Sequence, residues 1–321
     1  MLESIRSLVH LDLIATDHFI CQELKSDIPF INQLIEYILN GGGKRIRPLL
    51  VLLTANAFKH PTQKHIDLAA AIELIHTATL LHDDVVDNAT LRRGHKTANA
   101  LWGNEASVLV GDFLYSRAFQ LIVKLNHFDI LDIFSKATNI IAEGEVLQLL
   151  NCHDPNINEA LYFEVIARKT AKLFEVATET GAALSTTEAA HLKAMKYYGH
   201  HLGIAYQLID DALDYHALPE KTGKLLGNDL SEGKPTLPLI YALRQGKSGE
   251  AALIREAIEQ GSIQNLSQII EIIESTGAIE YTANAAKDHA YKAKKLLADI
   301  PDSPYRSALS TLAEFVVERS Y

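Results

Sequence analysis

The chain has 321 residues, 48% hydrophobic and 22% charged, with a formal net charge of −10. That is enough apolar material for a large core, and the negative balance excludes an extended nucleic-acid face, which needs clustered Lys and Arg. Its two cysteines, Cys21 and Cys152, have no metal-ligand spacing, so a disulfide framework and a zinc site are not expected and a reducing cytoplasm fits.

In chain order, helical periodicity dominates. Met1 to Leu24 carries four acidic residues and does not read as a signal peptide. Leu8, Leu11, Leu13, Ile14 and Ile20 predict a first amphipathic helix, and Phe30 to Leu39 a second. Asn40-Gly41-Gly42-Gly43 stops that helix and frees the backbone. A new helix is predicted from Lys44-Arg45-Ile46-Arg47-Pro48, where Pro in the first turn is tolerated. Lys and Arg at a helix start oppose the macrodipole, which points to an anion held there.

Ile66 to Leu81 is an apolar helix-forming run that leads into Asp83-Asp84-Val85-Val86-Asp87. Positions four apart share a helix face, so Asp83 and Asp87 point the same way and repel. Such a pair invites a hard cation, and Mg²⁺ suits carboxylates that act together with substrate phosphates.

Asn104 is expected to cap a long apolar helix to Leu125. Leu131 to Leu150 and Asn158 to Thr180 follow, the second holding Arg168-Lys169-Thr170. Thr187 to Asp214 ends in Asp210-Asp211-Ala212-Leu213-Asp214, a second copy of the acidic pattern. Tyr215 to Pro235 is a long irregular stretch with three lysines, and a loop of that length is usually functional or disordered. The remainder reads as shorter helices. Strand patterns are scarce, no linker divides the chain, and no run of about 18 apolar residues marks a transmembrane helix. The expectation is one all-α domain over residues 1–321.

Two acidic clusters, with Arg92 and Arg93 after the first and Lys224 and Lys234 after the second, read as two walls of a diphosphate site. Mg²⁺ and basic groups withdraw charge from a diphosphate and make it a leaving group. If its carbon is allylic, the C–O bond can break to a resonance-stabilised cation, which apolar walls must keep from water. A phosphohydrolase built on His82-Asp83 would leave the second cluster and the Lys44/Arg47 start without a role. A terpene cyclase would also have no use for that basic start, and a regulatory subunit would be expected to lose one cluster.

Gly41 to Pro48, His76 to Gly94, Gly111-Asp112-Phe113, Glu143-Gly144-Glu145, Lys169-Thr170, Gln207 to Tyr215 and Gly227 to Pro238 occur in the order found in the trans-polyprenyl diphosphate synthases. The chain resembles that family over most of its length, most closely its bacterial octaprenyl-forming members. The resemblance implies an isoprenoid synthase fold, usually a homodimer, with a central cavity. It implies that Asp83, Asp87 and Asp210 hold Mg²⁺, three ions with substrate bound, and that Asp84, Asp211 and Asp214 support them. It assigns Lys44, Arg47, His76 and Arg93 to isopentenyl diphosphate. Arg92, Lys169, Lys224 and Lys234 go to the allylic diphosphate, most simply farnesyl diphosphate, and Thr170 and Gln207 lie beside the developing cation. Ala78 and Thr79, both small, would let a long product run back along their helix, with Phe119 and Ile122 as candidates for the tunnel floor. A peripheral membrane contact for product release is compatible with this reading.

Overall fold

The computed structural model describes residues 1–59, 62–216 and 226–318. Helices run in the order α1 (Leu2–Ser7), α2 (His10–Glu23), α3 (Pro29–Asn40), α4 (Ile46–Ala57), α5 (Lys64–Val86), α6 (Ala98–Trp102), α7 (Asn104–Lys124), α8 (Phe128–Asn151), α9 (Glu159–Ile166), α10 (Lys172–Ala183) and α11 (Ala189–His216). Asn228–Ser231, Leu237–Gln245, Ser248–Gln260, Leu266–Ser275, Ala278–Leu296 and Pro304–Glu318 complete them. Among the described residues, the only sheet is a two-stranded hairpin, β1 (Leu91–Arg92) and β2 (His95–Lys96). The all-α expectation holds.

The chain divides into two compact units, the first made of Met1–Ser135, Val176–Lys196 and Asp299–Thr311, the second of Lys136–Glu175, Tyr197–Ala298 and the chain from Leu312 on. A helix apolar all round must be buried, and α4 is one: Leu49 to Leu53 are at most 1% exposed. The same holds for Leu68 to Ile75 of α5, apart from Glu73 at 6%. These segments form the core of the first unit, with Val110, Leu114, Leu121 and Ile122 of α7 also buried. In the second unit, Tyr215, Leu230, Leu239, Ile254, Ile258, Ile269 and Ile273 form one apolar cluster.

Some boundaries differ from expectation. The first predicted helix is α2, and a separate short helix, α1, precedes it, the two broken at Leu8–Val9. Asn104 is the first residue of α7, and Gly103, at φ 88°, is its N-cap. The predicted Asn158–Thr180 helix is interrupted by a single π-helical segment, Ala167–Ala171. Asn158 does cap it, its side-chain oxygen accepting from the Leu161 amide at 2.9 Å. Among the described residues, α7 is the one helix long and apolar enough to cross a membrane. Val110, Leu114, Leu121 and Ile122 turn part of that apolar content inward, Val108, Leu109 and Val123 leave part of it exposed, and the helix also carries Glu105, Asp112, Arg117 and Lys124.

Candidate active site

Two contacts with α7 fix the acidic end of α5. Ser107 donates its hydroxyl to the Leu81 carbonyl at 3.0 Å. His82 Nε2 lies 3.2 Å from the Val108 carbonyl and 3.3 Å from Asp112. Gly111 permits this approach, because a Cβ there would sit 2.4 Å from His82 Nε2. His82 therefore joins two helices.

The helix presents its three aspartates differently. Asp83 and Asp87 are half-buried and Asp84 is buried. Arg92 from the hairpin reaches Asp84 Oδ1 twice, Nε at 2.8 Å and Nη2 at 2.7 Å. Burial raises the Asp84 carboxyl above the usual carboxylate range, helped by the Asp83 and Asp87 charges and opposed by Arg92. Asp84 thus anchors the hairpin to the helix. Arg92, expected at the allylic diphosphate, is engaged with Asp84 here.

The hairpin turns through Arg93 (φ 53°) and Gly94 (φ 79°), the double left-handed geometry that matches strand twist in a two-residue turn. This turn aims Arg93 back at the glycine loop, where its guanidinium donates to the Gly42 carbonyl. At the start of α4, Arg47 Nη1 donates to His76 Nε2 at 3.0 Å. Burial and the charges of Arg47, Arg93, Arg92 and Arg45 hold His76 well below its ordinary pKa. A neutral ring with Nε2 as acceptor is what this bond requires. Arg45, Glu73, His76, Arg92, Arg93 and Lys96 help to line a cavity of ≈ 90 Å³. The basic set expected at isopentenyl diphosphate, Lys44, Arg47, His76 and Arg93, is therefore gathered in the first unit, with His76 and Arg93 on the cavity wall.

The second unit repeats the pattern. Asp210 is half-buried and Asp211 is buried. Tyr162 donates its hydroxyl to Asp211 Oδ2 at 2.6 Å, and Gln207 Nε2 donates to Oδ1 at 2.7 Å. Gln207 in turn accepts the Thr170 hydroxyl at 2.9 Å. Burial raises the Asp211 carboxyl well above its usual range, with the Asp229 charge adding to it. Thr170 and Lys169 lie on the π-helical segment, and Lys169 Nζ meets Glu145 at 2.5 Å. A π turn re-aims side chains and is frequent at functional sites. Gly144 makes room for it, since a Cβ there would lie 2.8 Å from the Lys169 amide nitrogen.

Asp214 accepts from the amides of Asn228 (3.2 Å) and Asp229 (3.0 Å), so it caps the short helix Asn228–Ser231. Lys234 follows that helix and pairs with Glu232 at 2.5 Å. Lys224 lies outside the described residues. Tyr162, which anchors Asp211, was not expected; it sits 49 positions away, and no local pattern links the two.

Among the described residues no group of three or more His, Cys, Asp or Glu side chains is set to hold a metal alone. Half-buried carboxylates such as Asp83, Asp87 and Asp210 suit Mg²⁺, which takes hard oxygen ligands and completes its shell with water and phosphate.

The polyprenyl synthetase family model matches residues 28–273. The octaprenyl diphosphate synthase of Escherichia coli K12 is 49% identical over 319 residues, 99% of each chain. An all-trans-nonaprenyl-diphosphate synthase of Rhodobacter capsulatus is 43% identical over 309 residues, 96% of this chain and 95% of that one. The crystal structure of a Caulobacter crescentus polyprenyl synthase, complexed with calcium and isoprenyl diphosphate, matches with TM-score 0.96 and 42% identity over 100% of this chain and 98% of that one. The fold is therefore that of the isoprenoid synthases. The chain belongs to the polyprenyl synthetase family, and so to the prenyltransferases.

Proposed function

We propose that this chain elongates an allylic diphosphate, most simply farnesyl diphosphate, with isopentenyl diphosphate to give octaprenyl diphosphate for a quinone side chain. The observation that carries the reading is the matched construction of the two acidic clusters. In each, the second aspartate is buried and bonded (Asp84 to Arg92, Asp211 to Tyr162 and Gln207) and the first is half-buried. The 49% identity to an octaprenyl diphosphate synthase supports the product length.

Asp83, Asp87 and Asp210 are the proposed Mg²⁺ ligands, for three ions with substrate bound. When bound, Mg²⁺ supplies charge neutralisation on the leaving diphosphate. Lys169 and Lys234, with Lys224, hold that diphosphate, and Arg92 joins them from its Asp84 pair. Lys44, Arg47, His76 and Arg93 hold isopentenyl diphosphate. The allylic C–O bond breaks, and the isopentenyl alkene supplies the electron pair for the new C–C bond. A proton is then lost to the departing pyrophosphate. Thr170 and Gln207 hold each other by a hydrogen bond beside the developing cation, and their fixed dipoles need no reorganisation as charge develops. The supporting aspartates Asp84, Asp211 and Asp214 hold the surrounding elements in place. We further read residues 1–321 as one functional domain, acting as a cytoplasmic homodimer with a peripheral membrane contact for product release.

Incubation with farnesyl diphosphate, labelled isopentenyl diphosphate and Mg²⁺, followed by product sizing, tests the reading. The expected outcome is label in an eight-unit product with pyrophosphate released. Hydrolysis without C–C bond formation would overturn it.

A further inference from the structure

The basic start of α4 contains three cations, Lys44, Arg45 and Arg47, and one of them is committed elsewhere. Arg45 Nη1 donates to Glu73 Oε1 at 2.5 Å, and its Nε lies 3.7 Å from Asp17. Arg45 is also the N-cap of α4 and stands in the left-handed region, φ 48° and ψ 39°. That conformation is unfavourable for a residue with a Cβ, and it persists only where the surroundings over-determine it.

The determinant is one face of α5. Glu73 and His76 are three residues apart and so lie on the same side of the helix. Glu73 grips Arg45, and His76 grips Arg47 two residues on. Glu73 is only 6% exposed and lines the cavity. Its Oε2 is buried with no hydrogen-bond donor among the described residues. A buried pair with one oxygen unsatisfied is a poor device for stability alone.

We propose that Glu73 is a positioning residue for isopentenyl diphosphate. By holding Arg45 in its left-handed turn it sets where α4 begins, and hence the aim of Lys44 and Arg47. The carboxylate acts through Arg45 and takes no part in cleaving the allylic diphosphate. This inference rests on the functional reading above.

The test is a double-mutant cycle on steady-state kinetics with Glu73→Gln, Arg45→Gly and the double variant. Gln keeps the shape of Glu73 without its charge, and Gly adopts the left-handed turn without help. Glu73→Gln should raise KM for isopentenyl diphosphate ~10-fold, with kcat and the farnesyl diphosphate KM within about twofold. The double variant should be no worse than Glu73→Gln alone, because the clamp is already lost in that variant and Gly takes the left-handed turn unaided. If Glu73→Gln does not fold, the same cycle with Glu73→Asp decides, with the same non-additivity expected. Unchanged KM, equal rises in both substrates' KM, or effects that multiply would each overturn the proposal. A parent enzyme that incorporates no label sinks the functional reading and this inference with it. A parent that elongates while Glu73→Gln keeps the parent KM sinks the inference alone.

Discussion

At the scale of single residues, aspartates that look alike in sequence are expected to fail in different ways. Asp83 and Asp210 are the half-buried first members of their pairs, proposed to hold metal. Asp83→Ala or Asp210→Ala should each lower kcat at least ~100-fold, about 2.7 kcal/mol of lost transition-state stabilisation. Near-normal turnover in a folded Asp83→Ala protein would remove the metal role. Asp214 instead accepts two amides at the start of Asn228–Ser231. Asp214→Ala should cost about 1 kcal/mol of stability, the usual loss of a cap, and raise the allylic KM through displaced Lys234; thermal melts and kinetics together read both. Arg47 bonds to neutral His76 and starts α4. Arg47→Ala should raise KM for isopentenyl diphosphate far more than for the allylic partner, and equal rises would argue against two separate diphosphate pockets.

At the scale of elements, α5 carries the proposed metal pair, the proposed tunnel wall and the proposed clamp on α4. Ala78 is fully buried, whereas Thr79 is half-buried and donates its hydroxyl to the His76 carbonyl. Bulk at Ala78 would strain a packed core, so Thr79→Tyr is the cleaner probe. One helical turn rises roughly 5.4 Å, on the scale of an isoprene unit. Thr79→Tyr should therefore stop elongation at about three or four units while the first condensation continues; parent-length product from a folded, active variant would move the tunnel elsewhere. Ile122 is fully buried and Phe119 packs on Tyr115 at 5.6 Å, which keeps both as floor candidates. The sequence made α5 legible because its apolar run and its acidic end are both local. The break at Leu8–Val9 has no Gly or Pro to announce it. The π-helical turn at Lys169 depends on a neighbouring helix approaching at Gly144. The Arg45–Glu73 and Tyr162–Asp211 pairs join positions 28 and 49 apart, so only the fold brings them together.

At the scale of the whole molecule, several buried and half-buried groups titrate away from their ordinary ranges and tie stability to pH. His201 on α11 and His289 on Ala278–Leu296 meet Nδ1 to Nδ1 at 3.2 Å, and Phe163 stacks on His289 with centroids 5.9 Å apart. Burial lowers both pKa values to about 4, with further contributions from each other's charge on His289, from His200 and from Lys292; only Asp288 pulls His289 the other way. His76 is depressed too. Between the ordinary histidine pKa of 6.5 and about 4, the unfolded chain binds protons at these sites that the folded chain refuses. Their contribution is thus fully present above pH 6.5 and is lost as pH falls toward 4. Asp84 and Asp211, raised by burial, act oppositely: their ionisation costs more in the folded state, so they favour folding at the acid end. The net curve of the parent mixes these opposed contributions, and a variant comparison separates them. His289→Phe keeps a ring against Phe163 and removes one of the two groups that resist protonation. In urea unfolding at pH 7 and pH 4.5, the parent should lose on the order of 1 kcal/mol more than His289→Phe, after allowance for solvent screening of partly exposed rings. Equal losses in the two proteins would show that this histidine pair takes up protons as readily folded as unfolded.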